Sequence, residues 1–496
     1  MSKPTIESIN GEWATGPEYR ATDVPHPVWE ARTNPEWPRS TTVSSTIPNP
    51  LTTYLFRFVL LYIGIQLLPI DGRFFQNLFD FGGGYTHYLF DLSKFAPRFS
   101  GLAEPSADRT FTDWGIVALL ATVGTLIWTR WKPNATGDET VYNWLRIAVR
   151  YRLALAVIAY GFLKLFAIQA PMPSLSNLNT AYGDYSAWKL FSLSLGIVPG
   201  YQSFLGAVEL TGGLLLLNRK TTVIGTLILL PFLGNVFFSN LAYEGGEYVY
   251  SGLLLTFGLF LFAHDAVRLF RLVSLGIAAQ PDRSRLVLTD DQRTARLVLK
   301  AAFVLLTVGL YGFTTATNGP SRLPQTVGLP GLAGIYQVTE FSQNGQVIPY
   351  LKTHRNDGGA ATSERLGASA RWQDVVFETW NTISIRSNEP ARIHHVNTEE
   401  LPADETARDY ELAGSQGRHY YRYTADASAN LTLQSANPDT PTDRLTLRLI
   451  RQTDSTLVLR GVDAQRDSVV ARLTKINKKY LLHEAAKAGR RGSLTL

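Results

Sequence analysis

The sequence lacks cysteine entirely: none of its 496 residues carries a thiol. Disulfides, thiol catalysis, cysteine-ligated iron–sulfur clusters and covalently attached c-type haem are therefore excluded. Histidine is scarce as well, with eight residues, and only His264 is near an apolar segment of spanning length. We therefore expect neither a b-type haem held by two membrane histidines nor a histidine-rich metal site. Any redox role would need a borrowed cofactor.

The N-terminal 50 residues lack the basic-then-apolar pattern of a signal peptide. Their content of Pro, Trp and Glu is typical of an extended cytoplasmic tail, and we expect the first membrane span to serve as the export signal. The chain also lacks a basic stripe with interleaved aromatic residues, although its net charge is +6. Nucleic acid is therefore not an expected partner.

Long apolar segments are abundant between residues 51 and 316, and a helix of about 20 residues is long enough to cross a bilayer. Lys and Arg are concentrated after the second, fourth and sixth segments, which predicts that those loops and the N-terminus are cytoplasmic. The location predicted is a bacterial inner membrane, with the C-terminus on the periplasmic side and the lipid bilayer as a partner. The seven predicted spans are residues 51–70, 112–131, 150–170, 201–218, 221–240, 248–267 and 297–316.

From about residue 330 the hydrophobic period changes from that of helices to that of strands. "GIYQVTEFSQNGQVIPYL" predicts two strands around an Asn-Gly turn, and ten or eleven short strands are predicted in all, including "ARIHHV" and "RDYELA". The predicted fold is an α-helical membrane bundle followed by an all-β antiparallel barrel or sandwich. The predicted parts are a tail (1–50), a span pair with an outer interfacial loop (51–134), a four-helix domain (135–275), a cytoplasmic loop and last span (276–320), a β domain (325–485) and a loose tail (486–496).

Two ionisable residues stand inside predicted spans. Lys164 lies in "YGFLKLF" and Glu209 in "GAVELTGG", where a charged side chain costs ~2.5–3.5 kcal/mol on insertion scales. Counted from Arg152 and Arg219 along helices that rise 1.5 Å per residue, the two residues lie at similar depth on antiparallel spans. We predict that they are partners. The pair either fixes the register of two helices or also lines a proton, quinone or substrate site.

Smaller and weaker features surround this pair. Gly161, Gly206, Gly212 and Gly213 let helices approach closely. Pro231 frees a helical carbonyl beside the amides Asn235 and Asn240, which either open a cavity or bond a neighbouring helix. Arg57, two turns inside the first span, is interpreted as snorkelling to the cytoplasmic surface. Asn235, Asn240 and Arg57 are the second-rank polar candidates.

In these motifs the chain resembles the DoxX family of bacterial four-helix membrane proteins, over about residues 135–275. The pattern comprises a glycine and a lysine late in one helix, then Glu-Leu, paired glycines and a basic turn, at Gly161, Lys164, Glu209, Leu210, Gly212, Gly213 and Arg219. The resemblance implies a membrane subunit associated with quinone-linked oxidoreduction. A subunit of this kind is expected to carry no intrinsic cofactor. The resemblance suggests quinone as its ligand.

Three functions follow from this reasoning. The first is an accessory subunit of a membrane complex that binds a small apolar ligand such as quinone and is not catalytic alone. The second is a non-enzymatic anchor whose periplasmic β domain binds an envelope partner. The third is conduction of protons or solutes through the bundle, since charged and amide groups stand at depth.

Overall fold

The computed structural model describes residues 50–79, 84–99, 110–133, 137–278, 289–319, 321–350, 371–389, 391–395, 401–482 and 484. The predicted tail at residues 486–496 lies outside these ranges, as does the predicted tail at 1–50 except for Pro50, which begins the first helix. The first part of the described chain is helical and the last part is a β-sheet, as the change of hydrophobic period indicates.

The helices are strongly apolar, and turns or short loops connect most of them. Two short helices, α2 and α3, lie in the predicted outer interfacial loop, and a π-helical turn at Leu305–Leu310 separates α11 from α12. The bounds are α1 Pro50–Gln66, α2 Gly72–Asn77, α3 Gly84–Ser93, α4 Phe111–Trp131, α5 Asp138–Leu165, α6 Leu175–Leu178, α7 Ala187–Gly196, α8 Pro199–Leu216, α9 Thr222–Ala242, α10 Tyr248–Ser274, α11 Asp290–Val304 and α12 Tyr311–Asn318.

Four of these helical stretches are long and apolar enough to cross a membrane, which indicates a membrane protein. They are α4, α9, α10 and the continuous stretch 290–318; α7 and α8 together would make a fifth, but they are bent by 94°. The predicted count of seven spans is not confirmed. α1 has only 17 residues, and α5 begins with twelve residues that include two acidic and one basic side chain.

The third predicted span differs from the structure at its end. α5 stops at Leu165, and Ala167 turns the chain with a φ of 53°, a left-handed conformation that L-residues seldom adopt. The apolar run continues to Ala170 in the sequence, but Ala170 and its neighbours belong to the turn that leaves the bundle. Hydrophobicity alone does not locate this helix end.

The C-terminal strands close into an antiparallel barrel. β1 pairs with β3, each strand from β3 to β9 pairs with the next, and β1 also pairs with β9, so that eight strands form the barrel and β2 extends β1 as a hairpin. Alternate residues along each strand fill the interior, as expected when one face of a strand is buried. The strands are β1 Gly334–Gln343, β2 Gln346–Val347, β3 Trp372–Phe377, β4 Thr382–Ser387, β5 His419–Ala425, β6 Asn430–Ser435, β7 Arg444–Arg451, β8 Thr456–Val462 and β9 Ser468–Ile476.

The β domain is therefore a barrel and not a sandwich. The predicted hairpin around Asn344 and Gly345 is confirmed, with Gln343 paired to Gln346 and both turn residues at positive φ. "ARIHHV" and "RDYELA" were wrongly predicted as strands. In the described part of the long β4–β5 connection, residues 391–395 form only the isolated bridge of His394 with Ala413, and residues 408–413 form a turn that ends at this bridge.

Candidate functional site

Lys164 and Glu209 meet at the contact between α5 and α8. Lys164 Nζ donates to Glu209 Oε2 at 2.6 Å, and both side chains are buried. The ammonium also lies 5.4 Å from the centre of the Tyr160 ring and 5.2 Å from that of Phe232. Each charge thus has an opposite charge in direct contact, and the lysine gains cation–π contacts as well.

The position of Lys164 along its helix lowers the cost of burying it. Lys164 is in the last turn of α5, one residue before the helix ends. The free carbonyl groups of a helix C-terminus attract a cation, so the helix end offsets part of the cost of burying this ammonium. Lys164, 12 residues after Arg152, therefore lies near an end of α5 and not near its centre.

The four glycines are close-packing positions. A Cβ at Gly206 would lie 2.3 Å from Leu165 N and 2.6 Å from Gly161 O, and one at Gly213 would lie 2.8 Å from Val157 Cγ2. Gly212 faces the other neighbour, with Leu229 Cγ of α9 at 2.6 Å from the ideal Cβ position. A Cβ at Gly161 would lie 3.0 Å from the nitrogen of Leu210. Close contacts at Gly161, Gly206 and Gly213 bring α8 against α5 around the ion pair, and Gly212 contacts α9.

Arg57 does not snorkel to the surface. Its side chain is fully buried, and Arg57 Nε donates to Asp138 Oδ2 at 2.7 Å. Arg57 Nη1 also donates to the carbonyl of Lys132 at 2.8 Å and to Thr129 at 3.2 Å. The sequence interpretation failed because the carboxylate that holds Arg57 comes from the first turn of α5, 81 residues away.

The amides of α9 do not join the Lys164–Glu209 pair. Asn235 is exposed and accepts from Ser239 Oγ at 3.3 Å. Asn240 Nδ2 donates to the carbonyl of Val236, one turn earlier in the same helix. The expected hydrogen bonds from these amides to a neighbouring helix are thus replaced by bonds within α9.

A second set of buried charges lies where the loop after α3 meets α5 and α10. Lys94 Nζ is 2.6 Å from Glu247 Oε1, and Arg98 Nη2 is 2.6 Å from Asp71 Oδ1. Arg152 Nη2 donates to the carbonyl of Phe95 at 2.5 Å. These contacts fix the loop against the helices.

The segment between α5 and α8 joins the bundle to the barrel through Glu378, a buried residue directly after β3. Glu378 Oε1 accepts from Ser176 N at 2.7 Å and from Ser176 Oγ at 2.6 Å, and Oε2 accepts from Leu175 N at 3.2 Å. Ser176 Oγ is also 2.7 Å from Ser384 Oγ of β4. The carboxylate therefore satisfies the first N–H groups of α6, which have no partner within their own helix.

Glu411 lies beside this contact, fully buried in the β4–β5 connection. Trp380 Nε1 donates to Glu411 Oε2 at 3.0 Å, and the carbonyl of Glu411 accepts from Asn177 Nδ2 at 3.0 Å. Burial, together with the neighbouring Glu378 carboxyl, raises the pKa of Glu411 to about 8. Burial also raises the pKa of Glu378, and its three hydrogen bonds partly offset that rise. Neighbouring buried carboxyls do not readily ionise together.

Three basic side chains make further contacts at the junction. Lys189 Nζ, on α7, donates to the carbonyl of Tyr410 and lies 3.8 Å from the centre of its ring. His394 Nε2 is 3.2 Å from Asp409 Oδ2, and this neighbour raises the pKa of His394 even though burial opposes it. Arg418 Nη2 lies 2.5 Å from Asp374 Oδ1 on β3.

The sequence analysis missed this junction. Lys189 lies 189 residues before Glu378 and 222 before Glu411 in the chain, and nothing in their local pattern indicates that they meet. A weak signal existed in "YSAWKLF", where Lys189 interrupts an aromatic stretch, and in "RDYELA", where a glutamate occupies a position expected to be on a strand.

Within the described ranges, no group of three His, Asp or Glu side chains is arranged to hold a metal ion. Comparisons with protein-family models, with curated proteins and with solved structures find no significant match to this chain. The chemistry of the Lys164–Glu209 pair and of the junction at Glu378 therefore follows from their geometry alone.

Proposed function

We propose that this chain is a membrane-anchored binding protein, in which the helical bundle holds the β-barrel in a fixed position and the barrel binds an envelope component. The observation that carries this proposal is the junction at Glu378, where a buried carboxylate accepts three hydrogen bonds from α6. A flexible tether would need no such contact, since ordering the connecting segment costs conformational entropy.

The bundle supports the proposal. Lys164 and Glu209 are in direct contact, Gly161 and Gly206 pack against backbone, and Gly212 and Gly213 pack against side chains of the neighbouring helices. A quinone that exchanged protons with this pair would have to lie against one of the two side chains. An ion pair in direct contact between closely packed helices favours a role in fixing helix register over a role in binding a ligand. The quinone-binding subunit suggested by the resemblance stays a prediction.

The proposed location is a bacterial inner membrane with the barrel on the periplasmic side. The charged contacts Arg57–Asp138, Arg146–Asp265 and Arg268–Asp265 involve the helix ends that adjoin the Lys- and Arg-rich loops. The barrel joins the opposite end of α5, through residues 174–189. This arrangement agrees with the excess of positive residues expected on the cytoplasmic side.

Single-cysteine labelling tests the orientation, because the natural chain has no cysteine that could react. Asp454→Cys lies in the exposed β7–β8 turn and Arg219→Cys in the exposed turn between α8 and α9. In intact spheroplasts, a membrane-impermeant maleimide should label the first variant and should label the second only after lysis. The reverse pattern would overturn the proposed orientation.

A cysteine pair tests the fixed junction. In Ser176→Cys/Ser384→Cys, the two sulfurs replace hydroxyls that are 2.7 Å apart, so oxidation in native membranes should join the bundle to the barrel. Each single variant is the matched control. After cleavage of the chain between the two positions, the barrel should stay attached to the membrane only in the oxidised double variant. Failure of the double variant to cross-link would contradict a fixed barrel.

A further inference from the structure

The stretch 290–318 runs parallel to α5 along one side of the bundle. The rings of Tyr151 and Phe303 are in contact, with their centres 5.2 Å apart, and Tyr311 Oη donates to the carbonyl of Ala159 at 3.2 Å. From the first contact to the second, both chains advance by eight residues. The residues that precede Tyr151 and those that precede Phe303 therefore approach the same end of the bundle.

Four basic side chains lie at that end. Arg146 and Arg150 are one turn apart on α5, and Arg296 and Lys300 are one turn apart on α11. Residues four positions apart share one face of a helix. Arg146 and Arg296 are both close enough to Arg150 to repel its charge. The two helices thus bring like charges together across their contact.

Arg150 is the buried member of this cluster. Only 9% of its surface is exposed, and its Nε completes no hydrogen bond. Its closest polar neighbour is uncharged, the hydroxyl of Tyr151, whose ring centre is 5.4 Å from Arg150 Cζ. Among the described residues no carboxylate forms an ion pair with Arg150, whereas Asp265 is 4.0 Å from Arg146 and 3.1 Å from Arg268. A buried guanidinium without an anion is costly, so the cluster favours the binding of one.

The surroundings of the cluster are apolar and exposed. Leu297, Val298 and Leu299 are 68%, 60% and 70% exposed. The stretch 290–318 has 29 residues and is apolar enough to cross a membrane. Its length of about 43 Å exceeds the ~30 Å hydrocarbon core of a bilayer. Its first three turns, which include Arg296 and Lys300, therefore reach the level of the lipid head groups.

We propose that Arg150, Arg296 and Lys300 bind the phosphate group of an anionic phospholipid, whose acyl chains lie along the exposed apolar residues of α11. A guanidinium group matches two phosphate oxygens with parallel N–H···O bonds, and basic pockets between membrane helices bind anionic head groups. The apolar surface favours a lipid over free phosphate, which would use the charges alone. This site belongs to the bundle, so it goes beyond the function proposed for the barrel.

The test uses the full chain purified in dodecyl maltoside. Native mass spectrometry counts bound dioleoylphosphatidylglycerol and the zwitterionic dioleoylphosphatidylcholine, which has the same acyl chains, and calorimetry follows inorganic phosphate. The phosphatidylglycerol should bind saturably and about tenfold more tightly than either other probe. Arg150→Gln and Arg296→Gln should each weaken that binding about tenfold, as expected for the loss of one charged hydrogen-bond donor. Arg296 is exposed, so its variant keeps the test valid if Arg150→Gln fails to fold.

Arg130→Gln is the matched control, because Arg130 is an exposed arginine in the last turn of α4 and its replacement removes the same charge. It should leave the affinity unchanged. Three results would overturn the lipid proposal: equal binding of the two lipids, binding of inorganic phosphate as tight as that of phosphatidylglycerol, or equal affinities in the control and the two cluster variants. The second would indicate a free-phosphate site and the third a general attraction between charges. None of these results bears on the labelling and cross-linking outcomes that test the fixed, outward-facing barrel.

Discussion

The bundle and the junction bury charge in different ways. Inside the bundle, Lys164 has Glu209 as an ionised partner in direct contact, and the pair lies between closely packed helices. At the junction, Glu378 is held by backbone N–H groups and hydroxyls, and Glu411 lies beside it as a second carboxyl. A one-to-one pair stabilises a single helix contact, whereas a shared network joins two separately folded elements and responds to pH.

Removing one member of the bundle pair should have the largest effect. Lys164→Met leaves Glu209 buried and without its cation, and we expect a loss of ~3–5 kcal/mol in the free energy of unfolding. The double variant Lys164→Met/Glu209→Leu should recover most of that loss. Thermal unfolding of the detergent-solubilised protein measures both. If the double variant is as unstable as the single one, the two residues do not act as a pair.

Crowding the helix contact should have the next largest effect. Gly206→Ala places a methyl group 2.3 Å from Leu165 N, and overpacking of this kind costs ~1–3 kcal/mol. Gly234→Ala on α9 is the control, since its Cβ would meet nothing within 4 Å, and it should be neutral or slightly stabilising. Equal unfolding temperatures for the two variants would show that the α5–α8 contact can relax.

At the junction, two chemically identical substitutions should differ. Glu378→Gln replaces an oxygen that accepts from α6 with an NH₂ group facing other donors, which we expect to cost ~1–3 kcal/mol. Glu411→Gln should cost less at pH 7, because Glu411 with a pKa of about 8 is already mostly protonated. Limited proteolysis between bundle and barrel reports on the junction. Faster cleavage of the Glu411→Gln variant than of the Glu378→Gln variant would contradict this assignment.

A pH dependence of the junction is also expected. Glu411 keeps its proton in the folded protein up to about pH 8, but a glutamate in the unfolded chain loses it near pH 4.5. Between these values the folded state binds more protons, so its stability falls as pH rises from about 5 to about 8. Unfolding midpoints across this range should show the fall, and Glu411→Gln should flatten it. If the Glu411→Gln variant keeps the same slope, the pH dependence is assigned to His394, because its raised pKa also makes the stability fall as pH rises.

Much of the architecture could be predicted from the sequence, and the reasons for the failures are specific. The change in hydrophobic period located the barrel, and the Asn-Gly pair located its first hairpin. Depth counting related Lys164 to Glu209 because both lie on helices close in sequence. The same reasoning failed for Arg57, because its partner Asp138 is 81 residues away, and for Glu378, whose partners are about 200 residues away.

The closure of β1 on β9 has a consequence for how the protein is made. Ile335 pairs with Ile476, so synthesis must reach the last strand before the first strand finds its second neighbour. The segment 174–189 is made long before that, and its unpaired N–H groups must stay hydrated until the barrel wall exists. Contacts between distant parts of a chain form slowly. We therefore expect the junction to assemble last, so that the bundle inserts as an independent unit and a truncation before residue 468 leaves it without the barrel.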